Sequence, residues 1–400
     1  MEIQLEELKK IYLRKIFSTL MSDRIPDNLI IYATYSLDDV HDTILDLKDE
    51  YGIKNIIFVD YDYDKTKQFF DTNPTKEEID RFIPKYPVPS GLNRIIFFNN
   101  VTDECDTMFD KISVTYKKHV KKENKEIFKY LREEKKYNKT VTLCPNKEWA
   151  KALYGNEDKL YDLWPLANEI IPTSEKIKEE VRERSERKRL LQEMNIHNLY
   201  FYNKLGTDFK ISLTKHSLWT MEPGYIDGVF NHYNFPSYEI YTSPNCYSAE
   251  GKLVLAKERG FYYDIIVKEG EFTFSKGKLI KCQTNDESFD KILFNKTNRL
   301  FRLGEIALVS QESPLAKQNM YFNSVILDEN SGCHFAFGNS IKECIDIDDE
   351  ILKKKGFSYY RYNHSKYHED FVFGDDSIMI EAETSGKKKI LLMENGKWKI

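Results

Sequence analysis

A chain of 400 residues that is 41% apolar and 14% aromatic can bury full cores, and its length suits two or three domains. Its 60 basic and 65 acidic residues are intermixed and sum to a formal charge of −5, so no block of one sign offers a phosphate-binding face, which argues against nucleic acid as a partner. No stretch of about eighteen apolar residues is present to cross a membrane, and the opening Met1 to Lys10 is charged where a secretory leader is apolar; the expectation is a cytoplasmic protein with no membrane partner. The cysteines Cys105, Cys144, Cys246, Cys282, Cys333 and Cys344 lie far apart without a Cys-x-x-Cys pair, the pattern of reduced thiols rather than a disulfide scaffold or zinc ribbon.

In chain order, Leu5, Leu8, Tyr12, Ile16 and Leu20 recur at helical spacing and predict an opening helix. Continuous apolar runs follow at Leu29–Ala33, Ile56–Val59, Ile95–Phe98 and Val141–Cys144, separated by helical stretches such as Asp39–Tyr51, Glu77–Ile83 and Glu123–Glu134. Strands buried on both faces and joined by helices imply a mostly parallel sheet, an α/β N-terminal domain over residues 1–173. None of these strands is followed by a Gly-rich phosphate loop, so nucleotide binding is not indicated.

Residues 174–198 hold a charge-dense segment with Ile177 and Val181 on one stripe, which predicts a connecting helix whose interleaved arginines and glutamates form a solvated face. From residue 199 to 400 the texture becomes β-branched and aromatic. Strands are expected at Phe209–Leu213, Leu253–Ala256, Phe261–Val267, Lys278–Lys281, Arg302–Ser310, Phe322–Leu327, Phe371–Phe373 and Ile378–Glu381. Turns fall at Glu269-Gly270 and Glu394-Asn395-Gly396. This half reads as a β-rich α+β domain.

Three features of that half can carry chemistry. In Tyr367-His368-Glu369-Asp370-Phe371 a strand would point His368 and Asp370 to one face, a set that suits a metal and equally a hydrogen-bonded pair. In Asp328-Glu329-Asn330-Ser331-Gly332-Cys333-His334, Glu329 ends one element and His334 opens the next; the same residues also fit acidic groups beside a helix N-terminus. Glu305 interrupts the apolar Leu303-Gly304-Glu305-Ile306-Ala307-Leu308-Val309, where a carboxylate is paired, metal-bound or on a wet strand face.

These stretches, in this order, resemble the thermophilic-type metallo-aminopeptidases, the aminopeptidase T and aminopeptidase S family. The likeness runs over most of residues 199–374. It takes in Leu205-Gly206-Thr207-Asp208, Phe235-Pro236-Ser237-Tyr238-Glu239-Ile240-Tyr241-Thr242-Ser243-Pro244 leading to Glu250, and the three features above. The resemblance implies two divalent ions, zinc, cobalt or manganese, held by Glu250, Glu305, Glu329, His334, His368 and Asp370, with Glu305 bridging. It further implies a shared water that attacks the scissile carbonyl, Glu305 or Glu329 as the proton carrier, peptides with a free N-terminus as substrates, and a homodimer.

One departure stands out: the family carries a tyrosine at the position of Ile341, which has no hydroxyl to offer an oxyanion. Two other readings stand beside the peptidase, the second of them motivated by Ile341. One is a ring-cleaving iron dioxygenase of the same fold, with one iron on two histidines and a carboxylate. The other is a metal-binding relative whose turnover is lost or altered.

Overall fold

The four apolar runs of the first half become strands β1 (Asn28–Ala33), β2 (Asn55–Val59), β3 (Asn93–Phe98) and β4 (Lys139–Thr142) of one parallel sheet, in the order β2-β1-β3-β4. The computed structural model describes residues 2–22, 24–33, 35–98, 111–134, 138–226, 229–257, 259–261, 265–294 and 300–400. Helices connect the strands, as buried parallel strands require. Ile30, Val59 and Ile95 on the sheet bury Ile127 and Leu131 of helix Lys125–Glu133. Where the strands begin, Asn55 donates to Asn28 and Asn28 to Asn93 (2.9 and 2.8 Å), an amide ladder that pins the register. The opening helix Glu2–Leu20 buries Tyr12, Leu13, Ile16 and Phe17, with Tyr12 edge-on to Trp164 at 5.7 Å.

The chain divides into two compact units, Met1–Ile177 with Pro223–Pro236, and Lys178–Glu222 with Ser237–Ile400. The return of Pro223–Pro236 to the first unit was not expected from a linear reading. Helix Ser174–Glu193 spans the charge-dense segment and lies mostly in the second unit. Its inward stripe runs through Ile177 and Val181 to Arg184 and Leu191, so one arginine expected in solvent is only 2% exposed. No described helix is long and apolar enough to cross a membrane.

The remaining strands, in order, are β5 (Ile196–Tyr202), β6 (Asp208–Ser212), β7 (Thr220–Met221), β8 (Gly224–Ile226), β9 (Val229–Asn231), β10 (Glu239–Thr242), β11 (Glu250–Val254), β12 (Arg259–Phe261) and β13 (Ile265–Val267). They continue with β14 (Gly270–Ser275), β15 (Lys278–Thr284), β16 (Leu303–Val309), β17 (His334–Gly338), β18 (His368–Val372), β19 (Met379–Thr384), β20 (Lys389–Glu394) and β21 (Lys397–Trp398). The second unit builds an eight-stranded antiparallel sheet, β15-β14-β11-β6-β5-β19-β20-β21, and a five-stranded one, β18-β17-β16-β10-β7. The α/β first half and β-rich second half match the expected fold class.

Two expected strands differ. Phe322–Leu327 does not extend: helix Val325–Glu329 forms because the buried Asp328 carboxylate accepts the backbone N–H groups of Phe322 (2.7 Å) and Ser324 (2.8 Å), curling the segment. Phe261–Val267 is not one strand, since β12 and β13 pair antiparallel; residues 262–264, like Cys105, lie outside the described residues. The Asn395-Gly396 turn behaves as expected, both residues having positive φ (50° and 69°) between β20 and β21, the geometry that suits the right-handed strand twist.

The two sheets of the second unit meet through aromatic rings. Phe272 of β14 lies 5.6, 5.4 and 5.8 Å from Phe335, Phe337 and Phe371 on β17 and β18. Truncating so central a ring leaves a cavity, so Phe272→Ala should lower the stability of the second unit by ~3–5 kcal/mol and Phe272→Leu by less. Urea unfolding followed by near-ultraviolet circular dichroism measures this; a loss below ~1 kcal/mol would show that the sheets do not depend on this contact.

Candidate metal centre

Register decides what the five-stranded sheet presents on each face. Across β16, β17 and β18 the paired positions are Ala307↔His334↔Val372 and Glu305↔Ala336↔Asp370, with Gly338↔His368 beyond. Side chains alternate, so Glu305, His334, His368 and Asp370 share one face while Phe335, Phe337 and Phe371 share the other. On β10, Tyr241 pairs with Ala307 and Glu239 with Val309, which adds Glu239 and Tyr241 to the ligand-rich face.

A bulge between Leu303 and Glu305 makes this alignment possible, pairing Leu303 with Phe337 but Glu305 with Ala336. The extra residue, Gly304, could carry no side chain, because a Cβ there would stand 2.1 Å from the Asn339 carbonyl oxygen. That same carbonyl accepts the Nδ1–H of His368 at 2.8 Å.

The result is two overlapping groups, Glu239 with Glu305 and His334, and Glu305 with His368 and Asp370, each with ligand atoms within 4.8 Å of one another. His334 Nε2 lies 3.1 Å from Glu239, while its Nδ1 faces the Gly332 carbonyl at 3.3 Å. His368 Nε2 lies 2.8 Å from Glu305 and 3.4 Å from Asp370. Each imidazole is thus held by its Nδ1 on a backbone carbonyl with Nε2 turned to carboxylates, the orientation that presents a ring nitrogen to a metal. His334 is 1% exposed and the His368 side chain 31% exposed, so the cluster opens on the His368 side.

Charge explains the protonation behaviour. Burial, then the Asp370 and Glu239 charges, pushes Glu329 well above the usual carboxylate range, and burial raises Glu305 despite its His368 partner. Burial alone would depress His334, but the Glu239 hydrogen bond and the surrounding carboxylates override it and push the ring up to about 10. His368 is likewise raised well above the imidazole range, Asp370 and Glu305 outweighing burial. Four carboxylates (Glu239, Glu305, Glu329 and Asp370) face two imidazoles, so even two protonated rings leave an excess of two negative charges among the six groups. Two divalent cations would balance the four carboxylates and leave the rings neutral. The donor set fits such a pair.

Of the residues singled out from sequence, Glu305, His334, His368 and Asp370 come together, and Glu329 ends helix Val325–Glu329 beside them without entering either group. Glu250 does not join them. It opens β11 in the other sheet, where its exposed carboxylate accepts the Lys276 N–H at 2.7 Å and ties down the Lys276-Gly277 turn. Glu239, which sequence reasoning passed over, stands among the candidate ligands instead. The argument that marked Glu305, a carboxylate within a buried apolar strand, applies equally to Glu239-Ile240-Tyr241-Thr242, whose four residues are all buried. Arg184 was also missed: it ion-pairs with Glu180 (2.6 Å) and donates to the carbonyls of Glu222 (2.6 Å) and Glu239 (3.2 Å), fixing the start of β10. Asn330 braces the same point, accepting the Tyr238 N–H at 2.7 Å.

A model of the thermophilic metalloprotease family (M29) matches residues 27–398. Aminopeptidase PepS of Streptococcus thermophilus is 29% identical over 281 residues, 65% of this chain and 65% of its own, so the match spans just under two thirds of that relative. The solved structure of wild-type AmpT from Thermus thermophilus superposes with a TM-score of 0.76 at 20% identity over 100% of both chains. A 2,5-dihydroxypyridine dioxygenase from Pseudomonas putida KT2440 superposes with a TM-score of 0.52 at 13% identity over 99% of both. These two structures speak to fold.

A pair whose folded pKa is raised stabilises the protein while its ring is protonated, so the His334–Glu239 contribution is complete below about 6.5 and is lost as pH rises through about 10. Glu305 and Glu329, also raised, act in the same direction, because their ionisation weakens the metal-free fold. The melting temperature of chelator-treated protein should therefore fall between about pH 7 and pH 10, and added zinc should shrink that fall by supplying the missing positive charge. Differential scanning fluorimetry across this range checks it; a metal-free melting temperature that climbs with pH would refute the assigned pairing.

Proposed function

The chain belongs to the thermophilic metalloprotease family, and on that premise we propose that it is a dinuclear metal-dependent aminopeptidase that removes the N-terminal residue from peptides. The observation that carries this reading is the pair of ligand groups sharing Glu305 on one face of a rigid sheet. Glu239, Glu305 and His334 would hold one divalent cation, and Glu305, His368 and Asp370 the other, with zinc, cobalt or manganese suited to imidazole and carboxylate donors. Bound there, the pair would acidify a shared water and polarise the scissile carbonyl.

The chain's own groups do the rest. Glu329 stands beside both groups while belonging to neither, which supports it over Glu305 as the residue that takes the proton of the attacking water and delivers it to the nitrogen of the leaving amine. Glu305, common to both groups, is committed to holding cations. The free α-amine of a peptide would bind the second cation or an acidic group of the site, which would account for selection of N-termini. A cytoplasmic homodimer is part of the same reading: the resemblance implies the dimer, and the free thiols of Cys144, Cys246, Cys282, Cys333 and Cys344 suit a reducing compartment.

Elemental analysis of the purified chain should find two equivalents of divalent metal, and leucyl or arginyl anilides should be cleaved while their N-acetylated forms resist. Glu239→Gln should lose metal and reduce turnover at least ~100-fold, whereas Glu250→Gln should keep both. Two metals and full turnover in Glu239→Gln would remove Glu239 from the centre; no turnover by the metal-loaded wild type on any such substrate would defeat the peptidase reading.

A further inference from the structure

We propose that Tyr241 supplies the hydroxyl that hydrogen-bonds the oxygen of the scissile carbonyl, replacing the tyrosine that the resemblance expects where this chain has Ile341; the inference rests on the peptidase reading above. Tyr241 follows Glu239 by two residues on β10, so both side chains leave the same face of the sheet. Its register partner is Ala307, which pairs in turn with His334 and lies two residues from Glu305. The methyl group of Ala307 fills little space between the ring and those two ligand residues. Tyr241 also packs in one cluster with Ala307, Cys344 and Ile341 itself, which brings position 241 to the place where the tyrosine is missing.

The hydroxyl is the part that packing does not explain. Tyr241 is only 6% exposed, and a buried phenol ordinarily finds a hydrogen-bond partner. Among the described residues its backbone carbonyl has the Cys344 Sγ contact at 3.9 Å, and no hydrogen bond engages its side-chain oxygen. Glu222 acts most strongly on that oxygen electrostatically, followed by Cys344 and then by Glu239 and Glu305 of the ligand cluster. A donor held rigid by its strand, unengaged and beside the cations' ligands, is arranged to meet an oxygen that gains negative charge during attack. As a phenol it gives a hydrogen bond without giving up its proton, so no further acid or base is needed.

Tyr241→Phe keeps the ring and removes only the hydroxyl, which separates this role from core filling. With zinc- or cobalt-loaded protein and a leucyl anilide, kcat should fall ~100-fold or more, with KM within about threefold and both metal equivalents retained. The melting temperature should stay within a few degrees of the wild type. Adding Ile341→Tyr to that variant should restore at least ~10-fold of the lost kcat, a recovery that a merely structural residue would not give. A Tyr241→Phe enzyme with kcat within about threefold of wild type overturns this inference and leaves the peptidase reading standing. A metal-loaded wild type that cleaves nothing overturns both.

Discussion

The strand register of the five-stranded sheet is the constraint on which the rest of the second unit depends. Because successive side chains alternate, the same three strands bury Phe335, Phe337 and Phe371 against Phe272 on one face and gather Glu305, His334, His368 and Asp370 on the other. A slip of one residue would send the carboxylates into the aromatic layer and the rings into the ligand cluster, each costly enough to forbid it. The aromatic face therefore fixes the ligand geometry. Gly304 completes the arrangement, since its bulge lets Leu303 pair with Phe337 while Glu305 pairs with Ala336, and its missing Cβ admits the Asn339 carbonyl that orients His368.

Holding such a face together has an electrostatic cost that the sheet must absorb. Carboxylates brought side by side out of water repel one another and lose hydration, which is why Glu305 and Glu329 ionise reluctantly and both imidazoles hold their protons. The strands stay in place because their backbone is fixed from outside the cluster. Arg184 grips the Glu239 carbonyl from a helix, Asn330 binds the Tyr238 N–H, and Asp328 folds the segment that delivers Glu329. A face so prepared is a receptor for positive charge, and its stability in isolation is sacrificed to that purpose.

Much of this was legible in the sequence because the signals were periodic or chemically improbable. Four continuous apolar runs between helical stretches specify a parallel sheet, and Asn395-Gly396 specifies a hairpin through the positive φ it tolerates. Glu305 stood out as a charge inside an apolar strand. Glu239 carries the same signal over a strand of only four residues, too short for alternation to be read with assurance, and an ordered comparison of motifs placed the ligand instead at Glu250, which sits on the other sheet and serves a turn. Phe322–Leu327 looked extended because its residues favour strands, yet the helix there is made by Asp328 accepting two backbone donors, a contact that propensity does not register. Arg184 was hidden by its neighbours, one buried arginine in a helix otherwise dense with solvated charge.

Fold alone does not choose between hydrolysis and oxygen chemistry, since aminopeptidase and dioxygenase structures both superpose on this chain. The count of charges on the ligand face supports the two-metal reading proposed above. A single iron on two imidazoles and one carboxylate would leave the other three carboxylates of the cluster beside it, with an excess of two negative charges. Two divalent cations would cancel all four carboxylates and leave both imidazoles neutral, the state in which they can ligate. The common position of Glu305 in both groups accords with the strand order, in which β16 lies between β10, which carries Glu239, and β17 with β18, which carry His334, His368 and Asp370.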